Sequence, residues 1–255
     1  MEDNPVQKQA ANWVPMPRYL LRRWVVRRLI RHIKPQDFIE IGSASGEMAD
    51  WLSAHDIPGV AVEISPQALR MLRARFENHP RIQVHNAAEG QPDRTADLLL
   101  SMEVMEHLAD DHLALSEWFE LIRPGGHLLL SVPAGKRLFS AEDEMVGHFR
   151  RYERQELIEK LTAAGFERPD VLCYGFPLGL VLKKIRNIVA KRKLRHDRRD
   201  MQERTEASGV ERQFLWLKWM FNNFFFLPFN LLQMPFLRLD WTDGYIAVAR
   251  KPLTA

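Results

Sequence analysis

Short apolar runs alternate with helical stretches from residue 37 onward, and this alternation constrains the fold more than any other feature of the sequence. Seven runs have the length and apolar content of strands: 37–41, 59–63, 81–85, 96–101, 126–132, 170–176 and 243–251. Segments of helical periodicity separate most of them: 46–55, 66–77, 109–122 and 153–164. Because such alternation builds strand–helix–strand units, we expect an α/β fold with a mostly parallel sheet.

The last two predicted strands are separated by 66 residues, 177–242, far more than the usual connection of about 4–6 residues. The segment 183–204 is rich in lysine and arginine, and 214–237 has 17 apolar residues out of 24, nine of them aromatic. Apolar residues fall on all sides of that second stretch, so we expect it to be buried. We therefore predict three parts: a basic helical segment 1–35, a core of 36–176 with 243–251, and an insertion 177–242.

Charge is distributed unevenly along the chain. Residues 1–34 carry a net charge of +6, residues 35–182 carry −11, and residues 183–204 carry +7. The segment 18–33 has helical apolar spacing with arginines between, which predicts either a docking helix with a solvated basic face or a surface for anionic lipid or nucleic acid. One cysteine excludes a disulfide framework, and we expect a reducing, cytoplasmic location, peripheral to the inner face of a membrane if the basic segments bind lipid.

A glycine-containing loop follows the first predicted strand and opens a helix. It reads Glu40-Ile-Gly42-Ser43-Ala44-Ser45-Gly46, where the glycines permit a tight turn and a close approach to a ligand. Glu63 ends the second predicted strand about 20 residues later, at a position where a carboxylate accepts ribose hydroxyls. The spacing excludes the dinucleotide fingerprint G-x-G-x-x-G.

The order of motifs in 36–175 and 243–251 resembles class I S-adenosylmethionine-dependent methyltransferases, with a likeness to the ubiquinone-type O-methyltransferases. Besides the loop and Glu63, the resemblance rests on ADLLLSMEVMEHL at 96–108 and LIRPGGHLLLSVP at 121–133. It implies a Rossmann-like sheet of seven strands with helices on both faces. It also implies S-adenosylmethionine as cofactor, bound by Glu40, Gly42, Ser43, Gly46, Glu63, Ile64, Ala88 and Met102.

Two positions depart from the family pattern. Ala44 stands where glycine is common, and the turn at 86–89 lacks the acid, expected near Ala87, that meets the adenine amine. Both departures concern the affinity for the cofactor.

Three ionisable residues follow the fourth predicted strand, at the sheet edge where α/β proteins bind ligands. Glu103, Glu106 and His107 resemble the E-x-x-E-H element of the ubiquinone-type enzymes and of small-RNA 2′-O-methyltransferases, and His148 lies where those families place a further histidine. These four side chains are our candidate catalytic residues and could together hold Mg²⁺, Mn²⁺ or Zn²⁺. His107 acting alone as a general base, or a purely structural polar cluster, are the alternatives. Arg150, Arg151 and Tyr152 either brace the sheet edge or bind an anionic group.

The expected reaction is O-methylation of a small hydrophobic, aromatic or lipid-linked acceptor. The insertion 177–242 then serves as a lid over the acceptor, as a contact with an anionic membrane through Trp216, Trp219 and the basic stretch, or as a dimer core. An RNA acceptor is disfavoured because the core is acidic. A methyltransferase-fold module that binds or recruits without catalysing is the remaining alternative.

Overall fold

The computed structural model describes residues 15–194, 223–241 and 244–254. The predictions for 1–14, for 195–204 of the basic stretch and for 214–222, with Trp216 and Trp219, lie outside these residues. None of the helices in the described ranges combines the length and the apolar composition that crossing a membrane requires.

Strands and helices alternate as predicted. The helices are α1 (Pro17–Ile33), α2 (Glu47–Ser53), α3 (Pro66–Arg75), α4 (Asp111–Glu120), α5 (Ala141–Val146), α6 (Arg154–Ala163), α7 (Leu178–Leu194) and α8 (Asn223–Gln233). The strands are β1 (Phe38–Ile41), β2 (Gly59–Glu63), β3 (Ile82–Asn86), β4 (Ala96–Met102), β5 (Ile122–Pro133), β6 (Glu167–Cys173) and β7 (Gly244–Arg250).

The seven strands form one sheet in the order β3-β2-β1-β4-β5-β7-β6. All neighbouring pairs are parallel except those of β7, which runs antiparallel to both β5 and β6. This arrangement confirms the predicted Rossmann-like fold. The strand order reverses between β1 and β4, so the loops that follow these two strands meet at the same edge, where open α/β sheets bind ligands.

Apolar side chains cover both faces of the sheet. On one face, Trp118 of α4 and Leu157 and Leu161 of α6 are buried against the strands. On the other, α1, α2, α3 and α8 contribute the buried residues, among them Leu52 of α2 and Phe226 of α8. The sheet is therefore the centre of the protein, and only its edges are available for a site.

Helix α1 begins and ends where its two prolines predict. Pro17 is its first residue, where the missing N–H costs nothing, and Lys34 ends it in the left-handed conformation directly before Pro35. Its apolar face packs on the sheet, as expected of a docking helix.

The basic face of α1 is only partly solvated: Arg28 and Arg31 are exposed, whereas the other arginines of the helix are buried or half-buried. Arg23 and Arg27 both donate to the carboxylate of Glu47 at the start of α2, and Tyr19 donates to the same group. Arg23 is buried, and Arg27 lies over the ring of Trp51. These arginines therefore pair with acids of the core, which explains how +6 and −11 segments coexist in one compact domain.

The described part of the insertion is helical, but it is not buried on all sides. In α8 the polar residues Asn230 and Gln233 are buried, whereas Phe224 is 87% exposed and Leu231 56% exposed. Helix α8 docks on the core through Phe226 and these two polar residues, and the Gln233 amide donates to Leu21 O of α1 and accepts from Gly175 N. Burial of the exposed apolar residues in a lid, a membrane contact or a dimer core stays a prediction.

Candidate active site

The loop after β1 turns tightly beneath the end of β2, as predicted. Gly42, Ala44 and Gly46 all have positive φ, of 73°, 45° and 71°. Ala44 N donates to Glu63 Oε2 at 2.9 Å, so the loop and the acid are in direct contact. The left-handed φ of Ala44 gives the physical reason why glycine is common at this position.

Glu63 is held rigidly at the end of β2. Its other oxygen, Oε1, accepts from the backbone N–H groups of Ile64 and Ser65 at 2.8 and 2.9 Å. Ile64 is 64% exposed next to this carboxylate. The end of β2 therefore presents a fixed acid beside an exposed apolar side chain, an arrangement suited to a ribose and the flat base attached to it.

Glu40 lies beneath the loop, buried at the C-terminal end of β1. Its Oε2 has no hydrogen-bond partner among the described residues. Burial raises the pKa of Glu40 to about 8. Ser43 donates its hydroxyl to the backbone oxygen of Glu40 at 3.0 Å, so that side chain supports the loop from within. A buried carboxyl oxygen without a partner fits a ligand that brings a cationic or N–H donor.

The remaining predicted cofactor residues lie at the same sheet edge. Met102 ends β4 and is half-buried against the core. Ala88 is exposed in the turn after β3, where its N–H donates to Asn86 Oδ1 at 3.1 Å. Asn86 Nδ2 in turn donates to Glu89, two residues after the position near Ala87 where the family pattern places an acid. The ends of β1 to β4 thus form one continuous rim.

Glu106, His107 and His148 converge after β4, as predicted. One ligand atom from each lies within 4.8 Å of the others. His148 Nε2 is 3.6 Å from Glu106 Oε1, and the two imidazole rings meet edge to face with centroids 4.8 Å apart. Two imidazoles and one carboxylate are a donor set that divalent transition metals accept.

Hydrogen bonds connect two turns that are distant in sequence, and these two turns carry the residues of the cluster. Phe149 N donates to Glu106 O at 2.9 Å, and His107 Nδ1 is 3.1 Å from Gly147 O. Gly147 ends α5 with a φ of 78°, a left-handed conformation that reverses the chain and places His148 beside its own helix. With its Nδ1 on a carbonyl oxygen, His107 directs Nε2 at the cluster.

Asp143 is the functional residue that sequence reasoning missed. It is fully buried and accepts from His148 Nδ1 at 3.0 Å, so His148 also directs Nε2 at Glu106. The same carboxylate accepts from Arg151 and from Ser140 N, forming the capping box that begins α5. The spacing Ser140-x-x-Asp143 is a recognisable helix-start signal and could have identified this residue.

The protonation of the cluster follows from its burial. Glu106 is fully buried and neither oxygen has a hydrogen-bond partner among the described residues. Burial, with Glu103 nearby, holds its pKa well above the usual range. Burial and the neighbouring His148 lower the pKa of His107 to about 4, so its ring is neutral at physiological pH.

Glu103 does not join the other three, so the structure does not bring the four predicted metal ligands together. Its φ of 60° turns the side chain toward α1, where Arg18 donates to Oε2 at 2.5 Å and Arg22 lies 3.4 Å from Oε1. Ser131 and Tyr174 donate to the same carboxylate. Burial opposes ionisation, but the two arginines outweigh it and lower the pKa of Glu103 to about 2. These arginines were also not predicted as part of the site.

The residues after His148 brace the sheet edge, the simpler of the two interpretations. Arg151 donates to Asp143 and to Ala134 O, and Arg150 pairs with Asp111 at 3.1 Å. Tyr152 is buried and donates to Asp111 at 3.0 Å.

Comparison with known proteins places this geometry in a family. A protein of Mycolicibacterium smegmatis named as a probable S-adenosylmethionine-dependent methyltransferase is 31% identical over 153 residues, 58% of each chain. The ubiquinone biosynthesis O-methyltransferase of Aromatoleum aromaticum is 26% identical over 98 residues, 36% of this chain and 42% of its own. The matches thus span little more than half the length of these curated relatives, or less.

Structural comparison agrees at the level of the fold. The N-methyltransferase NodS of Bradyrhizobium japonicum, solved with S-adenosylhomocysteine, superposes with a TM-score of 0.54 at 16% identity, covering 97% of both chains. The sequence model of the family described as "Methyltransferase domain" matches residues 14–168, more than half of the chain. The chain therefore belongs to the methyltransferase domain family.

Proposed function

We propose that this protein transfers the methyl group of S-adenosylmethionine to an oxygen atom of a small hydrophobic acceptor, aromatic or lipid-linked. The observation that carries the proposal is the buried cluster of Glu106, His107 and His148 at the same sheet edge as the loop after β1. The likeness to an enzyme named ubiquinone biosynthesis O-methyltransferase supports oxygen as the methyl acceptor atom.

The residues at the ends of β1 and β2 fit this cofactor. The sulfonium ion and the amino group of S-adenosylmethionine bring positive charge, which the unpartnered Glu40 Oε2 would balance. Glu63 would accept the ribose hydroxyls, and Ile64 would cover the adenine ring. Met102 would line the site at the end of β4. The loop then positions the methyl group toward the residues after β4.

The cluster fits a divalent metal ion held by three ligands. Both imidazoles have Nδ1 on an oxygen acceptor, Asp143 for His148 and Gly147 O for His107, so both present Nε2 as a ligand atom. Such outer hydrogen bonds are typical of metal-binding histidines. The carboxylate of Glu106 is buried with no donor among the described residues, and a bound ion would supply the partner that it lacks.

The metal would act as a Lewis acid that lowers the pKa of an acceptor hydroxyl. A phenol has a pKa of about 10 and is a poor nucleophile at neutral pH. Methyl transfer is an in-line displacement, so the protein's own contribution is to hold the oxygen and the methyl group in line. Helix α7 packs against α5, the helix that carries Asp143, through the ion pair of Arg186 with Glu142.

The alternative in which His107 acts alone as base receives less support. Burial and the neighbouring His148 lower the pKa of His107 to about 4, so its neutral ring has a low proton affinity in this environment. An RNA acceptor also receives less support, because Arg18, Arg22, Arg23 and Arg27 of α1 point onto acids of the core.

The test is methyl transfer from labelled S-adenosylmethionine to catechol and, in parallel, to the aniline analogue in which amino groups replace the hydroxyls. We expect catechol to be methylated on oxygen, activity to disappear with EDTA, and Mn²⁺ or Mg²⁺ to restore it. His148→Ala should abolish turnover and metal binding while retaining cofactor binding, and His112→Ala, on the exposed part of α4, is the matched control. EDTA-resistant methylation that His107→Ala abolishes would favour the metal-free base. Methylation of the aniline alone would contradict the assignment of oxygen.

A further inference from the structure

The two described helices of the insertion carry their apolar residues on the outside. On α7, Val181, Ile185, Ile188 and Val189 are all exposed, and three of them recur at spacings of four and three residues along one stripe. On α8, the exposed residues are Phe224, Phe225, Leu227, Leu231 and Leu232. The two helices meet where Gly175, three residues before α7, donates its N–H to Gln233 of α8 at 2.8 Å, and we call their exposed apolar residues together the apolar face. Clustered exposed apolar residues of this kind mark contact sites on soluble domains.

The orientation of both helices is fixed by polar contacts on their inner sides. In α7, Lys183 is buried with Nζ 4.0 Å from Asp143, and Arg186 pairs with Glu142 at 2.5 Å. In α8, Gln233 donates to Leu21 O and to Asn230 Oδ1, and accepts from Gly175 N. Turning either helix to bury its apolar residues would expose or break these contacts. Polar contacts within the fold therefore hold these apolar residues at the surface.

The charges on this surface define what can cover it. Helix α7 contains no acidic residue, and its exposed side includes Lys184, Lys191 and Arg192 alongside the apolar stripe. Residues 223–237 contain no charged residue at all. An apolar stripe flanked by cations is complementary to a surface that is negatively charged outside and apolar beneath, which is an anionic lipid bilayer.

We propose that the apolar face docks on the surface of an anionic lipid membrane, with the α7 lysines at the headgroups and the apolar residues of α7 and α8 among the upper acyl chains. A second copy of the chain fits less well, because a twofold interface would place the same cations of α7 against each other. The proposal stands on this surface alone and does not depend on the methyl acceptor.

Docking here would connect the membrane to the candidate active site. The inner side of α7 contacts α5 through Lys183 and Arg186, and Asp143 of α5 orients His148. One helix therefore has its outer side on the lipid and its inner side beside the cluster. A lipid-linked acceptor would reach the site along this helix.

The test uses the full chain without cofactor and vesicles of phosphatidylcholine, with and without phosphatidylglycerol, in a flotation assay. We expect binding to the anionic vesicles, weakening as salt increases. Ile188→Glu and Leu231→Glu should each weaken binding by about tenfold or more, because each places a charge among acyl chains. Leu113→Glu, an equally exposed leucine on α4, is the matched control and should bind as wild type.

A second pair of variants tests the electrostatic part. Lys184→Gln and Lys191→Gln should each weaken binding to the anionic vesicles by about fivefold. Arg70→Gln and Arg73→Gln, on the exposed side of α3, should leave it unchanged.

Three results would overturn the proposal. Equal vesicle binding by the apolar-face variants and the control would show that this surface does not touch lipid. A change in sedimentation from dimer to monomer in Leu231→Glu, without vesicles, would show that a second copy covers it. A fall in the unfolding midpoint of Leu231→Glu that Leu113→Glu lacks would show that the chain's own residues cover it.

Discussion

Replacing Asp143 with asparagine should be strongly destabilising, because its carboxylate is the centre of a buried charge network. It accepts from His148 Nδ1, from Arg151 and from the backbone and hydroxyl of Ser140. Arg151 is only 3% exposed and also donates to Ala134 O, so it cannot turn into solvent when its carboxylate partner is removed. Removing one partner of such a buried pair costs about 3–5 kcal/mol, since the remaining charge stays uncompensated.

The asparagine oxygen can retain part of these hydrogen bonds, so we take the lower end of that range, about 3 kcal/mol. For a domain of this size, the loss corresponds to a fall of about 6–12 °C in the thermal midpoint. Urea and thermal unfolding of Asp143→Asn measure it directly. The matched control is Asp56→Asn, because Asp56 forms an exposed ion pair with Arg81 and should lose no more than about 1 kcal/mol. Equal losses for the two variants would refute the claim that Asp143 organises the site.

Three further changes test the loop and the turn. Burial raises the pKa of Glu40 from 4.5 to about 8, so the unfolded chain releases this proton at lower pH than the folded chain. The unfolding free energy should therefore fall as the pH rises from 4.5 to 8. Glu40→Gln should remove this contribution to the pH dependence, measured by urea unfolding at a series of pH values. Ala44→Gly removes a left-handed alanine and should tighten cofactor binding, measured by calorimetry, by up to about fivefold. Gly147→Ala should cost about 1 kcal/mol in urea unfolding and weaken metal binding, because it strains the turn that presents His148; unchanged metal affinity would contradict this reading of the turn.

The sheet could be predicted from the sequence because its strands are short, apolar and separated by helices with recognisable starts. The predicted boundaries of β1 and β2 agree with the structure to within one residue at either end. The strand predicted at 126–132 begins earlier, at Ile122. Its first four residues, Ile-Arg-Pro-Gly, lack the continuous apolar pattern from which the strand was predicted. Local patterns suffice here, since burial and periodicity decide both the strand and its position.

The orientation of the charged side chains could not be predicted in the same way. Glu47 and Glu103 lie 24 and 85 residues from Arg23 and Arg18, their partners on α1, so no local pattern reveals the pairing. Glu103 and Glu106 are three residues apart and looked equivalent in sequence. The positive φ of Glu103 sends its side chain toward α1, whereas Glu106 points into the core, a difference that only the folded backbone specifies.

The uneven charge distribution of the sequence therefore has two physical meanings. On α1, the cations compensate acids beside the cofactor loop and after β4, and Glu103 stays ionised in a buried position because Arg18 and Arg22 are there. On α7, the cations divide between an inner side, where Lys183 and Arg186 meet the acids of α5, and an outer side exposed to solvent. Because the inner cations pair within the fold, we expect the exposed Lys184 and Lys191 to be the ones that attract an anionic partner, and they lie beside the apolar face.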